Sequence, residues 1–160
     1  MDNKDLIWQE LIQLENIPTH ILAWLDDHQS LTAKLKKKFP DFSVNVLSQT
    51  ESIPSNNEAD LLNYQGACVV REVELLGNNQ AVVFARSVIP ITDDTQDLLK
   101  IGSKPLGEIL FNDTNIKREQ LQITHTNNTW GRRSVFTIGH TKLSVSEFFL
   151  EVLYAWRSFY

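Results

Sequence analysis

In the run Ala67-Cys68-Val69-Val70-Arg71-Glu72-Val73-Glu74-Leu75, strand periodicity puts Arg71 on one face with Ala67, Val69, Val73 and Leu75. A guanidinium aimed into an apolar layer is costly unless a carboxylate answers it, from the protein or from a ligand. Glu147 has the complementary property. If the strand through Leu143 and Val145 continues one step, its carboxylate points to the same apolar side. Either Arg71 and Glu147 neutralise each other, or both line a pocket where one grips an anion and the other a hydroxyl. The residue pattern by itself leans toward the salt bridge.

Gly102-Ser103-Lys104-Pro105-Leu106-Gly107 ends in a helix start, where Leu106 offers a backbone N–H without an intrahelical acceptor. Most such starts bind only water or their own cap. Arg86 shares its strand face with Val82, Phe84 and Val88, and Arg132 shares its own with Ser134, Phe136 and Ile138. With Arg133, these read first as scaffold arginines tied to acids or backbone carbonyls. Lys34, Lys36, Lys37 and Lys38 read as the solvated face of a short helix. Cys68 is the only cysteine, so no intrachain disulfide can form, and its apolar setting predicts a buried thiol. His20, His28, His125 and His140 have no metal-ligand spacing, and no nucleophile elbow or glycine-rich phosphate loop is present. These absences favour a reaction that needs neither cofactor nor metal, or no reaction at all.

These groups need a scaffold. Leu6, Ile7, Leu11 and Leu14 recur at helical spacing behind a cap at Asp2 or Asn3. A second helix carries Ile21, Leu22, Trp24 and Leu25, and Ser30 caps a third from Leu31 to about Phe39, closed by Pro40. Alternation from Phe42 to Val46 opens the strands, and residues 48–60 have the composition of a surface loop. Two strands, 67–76 and 81–89, form a hairpin about Gly77, Asn78 and Asn79. Weak helical character at 93–101 and a short helix from Leu106 to Phe111 precede strands near Leu121–Thr126, Arg133–Ile138 and Leu143–Ser146, the last two divided by Gly139 and His140. The segment from Phe148 through Trp156 is apolar enough to pack back onto the rest. Strands in series with tight turns predict an α+β fold, an antiparallel sheet of about six strands with helices on one side.

The 160 residues, 1–160, fit one domain able to bury its own core. Fifteen basic against twenty acidic residues, a net charge of -5, argue against a surface that coats nucleic acid or an anionic membrane. No segment approaches the ~20 apolar residues of a membrane span, and a cytoplasmic location is expected.

Five ordered blocks resemble the chorismate pyruvate-lyase family: Val70-Arg71-Glu72-Val73, Ala85-Arg86-Ser87-Val88-Ile89-Pro90, Gly102-Ser103-Lys104-Pro105-Leu106-Gly107, Trp130-Gly131-Arg132-Arg133-Ser134 and Ser146-Glu147-Phe148-Phe149-Leu150. The resemblance spans almost the whole chain. It implies a monomeric enzyme that eliminates pyruvate from chorismate to give 4-hydroxybenzoate, for ubiquinone biosynthesis, at an internal site beneath helical flaps. It places the substrate-carboxylate arginine on Arg71, a backbone donor on Leu106, the hydroxyl-binding glutamate on Glu147 and a flap contact on Leu31, where the family also uses methionine. Because the carboxylate and hydroxyl contacts so assigned persist in 4-hydroxybenzoate, strong product inhibition is expected. The continuation from Glu151 to Tyr160 departs from the family's usual short end after a proline. The alternative is a non-catalytic aromatic-acid or effector-binding domain of the same fold, as in certain bacterial transcription regulators. Those domains follow a winged-helix segment, for which the residues before the first strand are too few.

Overall fold

A computed structural model describes residues 6–11, 14–27, 30–126 and 129–155. The cap expected at Asp2 or Asn3, His28 and Trp156 lie outside the described residues. The elements in chain order are β1 (Gln9–Glu10), α1 (Thr19–Leu25), α2 (Leu31–Lys38), β2 (Ser43–Ser52), α3 (Asn56–Leu62), β3 (Cys68–Gly77), β4 (Gln80–Pro90), α4 (Leu106–Asn112), β5 (Lys117–Thr126), β6 (Thr129–Ile138), β7 (Thr141–Phe149) and α5 (Glu151–Ala155). Two short 3₁₀ turns, Asp93–Thr95 and Leu98–Lys100, stand where weak helical character was expected. The strands form one antiparallel sheet in the order β1-β5-β6-β7-β4-β3-β2. This is the α+β architecture expected, with the two-residue β1 as a seventh strand. Among the described residues no helix is long and apolar enough to cross a membrane.

Local chemistry explains most boundaries. Ser30 caps α2, its hydroxyl accepting from the Ala33 amide at 3.2 Å, and Leu31, Thr32 and Leu35 form the buried stripe. The β3–β4 hairpin turns on Asn78 and Asn79, both with positive φ (52° and 61°), the pair of left-handed residues a two-residue turn demands. Gly77 has a different reason: a Cβ there would collide with the Phe39 ring. Gly139, at φ 60°, turns β6 into β7 while Asp94 accepts from the His140 amide at 3.1 Å.

Two expectations are corrected. The helix expected from Leu6 is absent over residues 6–10, because Gln9 and Glu10 pair with Ile123 and Gln122 of β5, and tertiary pairing overrides local periodicity. Residues 48–60 are not a loop. Strand β2 runs on to Ser52 across an irregularity between Val46 and Ser48, and α3 follows. Ser55 and Glu58 start α3 with a reciprocal capping box, each side chain bonding the other's amide.

One face of the sheet carries two apolar clusters. The larger joins α1 and α2 to Val73, Leu75, Val83 and Phe149, and holds Leu153 of α5, so Phe149 through Tyr154 do pack back. The other joins Leu106 and Leu110 of α4 to Ile89, Phe136 and Val145. Helix α3 lies on the opposite face, where Leu62 packs on Cys68, Val70, Val88 and Val135. Helices therefore occupy both faces, with α3 an addition to the side expected.

Candidate active site

The candidate site lies at the seam between the two clusters, where the sheet carries polar or small side chains. Pairing aligns Gln49, Arg71, Ser87 and Val145 across β2, β3, β4 and β7; the next row is Val46, Val73, Ala85, Glu147 and Arg132. Side chains in such rows point to one face. The small residues Ala85 and Ser87 leave space above them. Thr32 of α2 and Pro105, Leu106 and Gly107 at the start of α4 close that space from above, and Arg71 and Glu147 lie in its walls.

Arg71 is 2% exposed. Its Nη1 donates to Gln49 Oε1 at 2.9 Å and to the Gly102 carbonyl at 2.7 Å, and its Nη2 donates to the Lys104 carbonyl at 3.0 Å. The turn before α4 thus wraps its carbonyls around the guanidinium. Three of the five N–H groups are used, leaving Nε–H and one on Nη2 without an acceptor among the described residues. None of the acceptors is charged. Burial pushes the Arg71 pKa down, with no carboxylate opposing it. A desolvated cation held by neutral dipoles is fixed in place and still lacks its counter-charge.

Glu147 does not supply that charge. Its Oε1 accepts from Arg132 Nε at 2.8 Å, and Oε2 has no partner among the described residues. The salt bridge toward which the sequence leaned, Arg71 to Glu147, is replaced by one between cross-strand neighbours of β6 and β7. Arg71, Leu106 and Glu147 are brought to one pocket. Leu31 is buried in the adjoining cluster, and the next residue on α2, Thr32, meets the pocket.

Sequence reasoning missed Gln49, Thr32 and the office of Arg132. Gln49 fell in the segment read as a loop. The partner of Arg132 was readable: counting back from the Gly139-His140 turn, where Ile138 faces Thr141, sets Arg132 opposite Glu147.

As it stands the cavity is about 40 Å³, against the ~150 Å³ of a cavity that admits benzene. At this spacing of α2 and the start of α4 the cavity is too small for an aromatic ring. Their outer rims are joined by Lys36 and Glu108 at 2.8 Å, an exposed pair that costs little to break. A wider groove of about 690 Å³ on the outer side of α4, with Glu108, Ile109 and Asp113, is open to solvent and holds neither Arg71 nor Glu147. Among the described residues no three His, Cys, Asp or Glu side chains gather as metal ligands would.

The family profile described as chorismate lyase matches residues 2–158. A probable chorismate pyruvate-lyase of Pseudoalteromonas atlantica is 33% identical, the match covering 96% of this chain and 91% of that protein. Its counterpart in Pasteurella multocida is 35% identical over 89% of this chain and 87% of its own. Among solved structures, that of the possible transcriptional regulator YydK of Bacillus subtilis is similar, with a TM-score of 0.51 over 87% of each chain. At 10% identity this last likeness concerns the fold alone.

Proposed function

The chain belongs to the chorismate lyase family of carbon–oxygen lyases, and from that premise we propose that it converts chorismate to 4-hydroxybenzoate and pyruvate with Arg71, Leu106 and Glu147 as the groups that hold the substrate. The observation that carries the assignment is the buried Arg71, fixed by three neutral acceptors and facing a pocket that also contains a glutamate.

Chorismate is a dianion that already contains its leaving group. Arg71 and the Leu106 N–H take the ring carboxylate, a charge-assisted contact inside a closed site. Glu147 Oε2 accepts the ring hydroxyl. With both ends of the ring held, the enolpyruvyl ether is kept in a reactive conformer. The ether C–O bond breaks, the hydrogen leaves the hydroxyl-bearing carbon, and the enolpyruvyl methylene gains a hydrogen to become the methyl of pyruvate. Aromatisation drives the step. An intramolecular hydrogen transfer balances without a protein base, so Glu147 serves first to orient.

Leu31, beside Thr32, belongs to the flap that must move for the ring to pass. Carboxylate and hydroxyl both persist in 4-hydroxybenzoate, so the product keeps most of the substrate's contacts and inhibits strongly. We place the enzyme as a cytoplasmic monomer of one domain, supplying 4-hydroxybenzoate to ubiquinone biosynthesis. The test is to mix purified protein with chorismate and follow 4-hydroxybenzoate absorbance and pyruvate release. Equal amounts of both are expected. Tight binding of 4-hydroxybenzoate without turnover of chorismate would overturn the enzymatic reading.

A further inference from the structure

Arg132 is among the largest fully buried side chains of the protein, at 1% exposure, and it does not share the pocket lining with Arg71. Its guanidinium is pinned on three sides. Nε donates to Glu147 Oε1 at 2.8 Å, and Nη1 donates to the Trp24 carbonyl at 3.0 Å and the Asp27 carbonyl at 2.9 Å, while the group lies 5.6 Å from the Phe149 ring. The Asp27 carbonyl also accepts from Arg118 Nη1 at 3.2 Å, and Arg118 is itself anchored on Ser134. The cation is therefore oriented by the backbone leaving α1, just before the flap helix, as well as by the sheet.

We propose that Arg132 is a positioning residue: it holds Glu147 Oε1 so that Oε2 is presented to the hydroxyl of the bound ring, and it makes hydroxyl recognition depend on the seating of Trp24 and Asp27 at the end of α1. This rests on the reading of Glu147 as the hydroxyl acceptor. A guanidinium with one N–H spent on the carboxylate and two on carbonyls fixes the glutamate rotamer in a way a single point charge does not. Without it the carboxylate can swing away, and the hydroxyl contact is lost while the Arg71 end of the ring is still gripped.

The test compares calorimetric affinities for 4-hydroxybenzoate and benzoate, which differ only in the hydroxyl. The wild-type protein is expected to prefer 4-hydroxybenzoate by roughly 10- to 100-fold, the range of a hydrogen bond to a charged group. In Arg132→Met the preference collapses to within about threefold, Arg132→Lys recovers only part of it, and benzoate affinity is little changed in either. Because a buried arginine variant can fail to fold, the wild-type protein supplies a second readout. The ¹⁵N resonance of Arg132 Nε should move on adding 4-hydroxybenzoate and stay in place on adding benzoate. An intact preference in the folded variants, or equal shifts of the Nε resonance with both acids, overturns the proposal alone. A wild-type protein that cannot distinguish the two acids overturns the reading of Glu147 and the proposal with it.

Discussion

Two arginines on opposite faces of the sheet, Arg86 and Arg71, are treated in opposite ways. On the α3 face, Arg86 meets Glu58 with a two-point contact, Nε to Oε2 at 2.9 Å and Nη2 to Oε1 at 3.0 Å, and has Glu72 at 3.5 Å besides. Glu58 is at once the capping residue of α3 and the counter-ion of β4, so one carboxylate fixes a helix start and docks it on the sheet. On the other face Arg71 is the more deeply buried of the two, with only carbonyl and amide oxygens around it. A charge matched within the chain holds the fold together. Arg71 has geometry, no counter-ion and a cavity beside it, which is why the proposed function gives it the substrate's carboxylate.

The sharpest break of this contrast is Arg71→Ala. Losing a charge-assisted carboxylate contact of about 3 kcal/mol in a closed site should lower kcat/KM by roughly 10²-fold or more in protein that is still folded, a far larger loss than the fall in melting temperature from the three acceptors left behind accounts for. Arg71→Lys should be intermediate at best, since it cannot offer the same planar fork. Steady-state kinetics beside thermal melts reads both, and near-normal turnover in Arg71→Ala refutes the assignment.

Arg86→Ala should do the reverse. It strands a buried carboxylate at a cost of about 3–5 kcal/mol, lowering Tm by on the order of 10 °C, with per-molecule turnover kept below the new Tm. The same pair predicts a pH dependence. Burial pushes the Glu58 carboxyl up, but the Arg86 hydrogen bond and charge, aided by Ser55, outweigh it and hold it below the ordinary 4.5. A depressed folded pKa gives stability that is complete above the unfolded value and is lost as pH falls through the folded one. The Tm gap between wild type and Glu58→Gln should be full at neutral pH and close as the pH drops below 4.5. A gap independent of pH would remove the ion pair from the account.

A smaller effect belongs to the flap. Ser30→Ala removes the α2 cap at a cost of ~1 kcal/mol, and the cavity must open for the ring to leave. Rapid mixing of wild type with chorismate should show a burst followed by a slower steady rate, and Ser30→Ala should raise that steady rate while weakening product affinity. A linear time course in both proteins rules out opening as the slow step.

The smallest expected effect is at Cys68. Burial, and then the charge of Glu58, push its thiol up to about 11. A thiol reagent at pH 8 should leave the native protein unlabelled and fully active, while the unfolded chain reacts. Rapid labelling of the native protein would place Cys68 outside the packed α3 face.

What could be read from the residues follows from where the information lies. Arg71 and Glu147 stood out because alternation alone sets a side chain's face, and Ser30, Asn78 and Asn79 because capping and turn chemistry are local. The β1 pairing was hidden, since nothing within Leu6–Leu14 records that β5 offers it an edge. Gln49 was hidden by Pro54, Ser55, Asn56 and Asn57, whose turn composition masked both the strand before them and the Ser55–Glu58 capping box. Which acid answers which arginine is a question of register. The tight β6–β7 turn encodes it for Arg132, whereas the Glu58–Arg86 pair depends on docking α3 from a distance along the chain.

The strand order carries a consequence for how the protein is made. Strand β7 lies between β6 and β4, so the piece built from β2, β3 and β4 and the piece built from β5 and β6 share no strand pairing until residues 141–149 arrive. A nascent chain that has not yet released them from the ribosome presents two bare sheet edges, along β4 and β6, each able to pair wrongly with another chain. Arg71 is then already on β3, Arg132 is on β6, and Glu147 is still missing. The strand that joins the two halves also brings Glu147 to the pocket, so closing the sheet and completing the pocket wall are one event, dominated by long-range contacts.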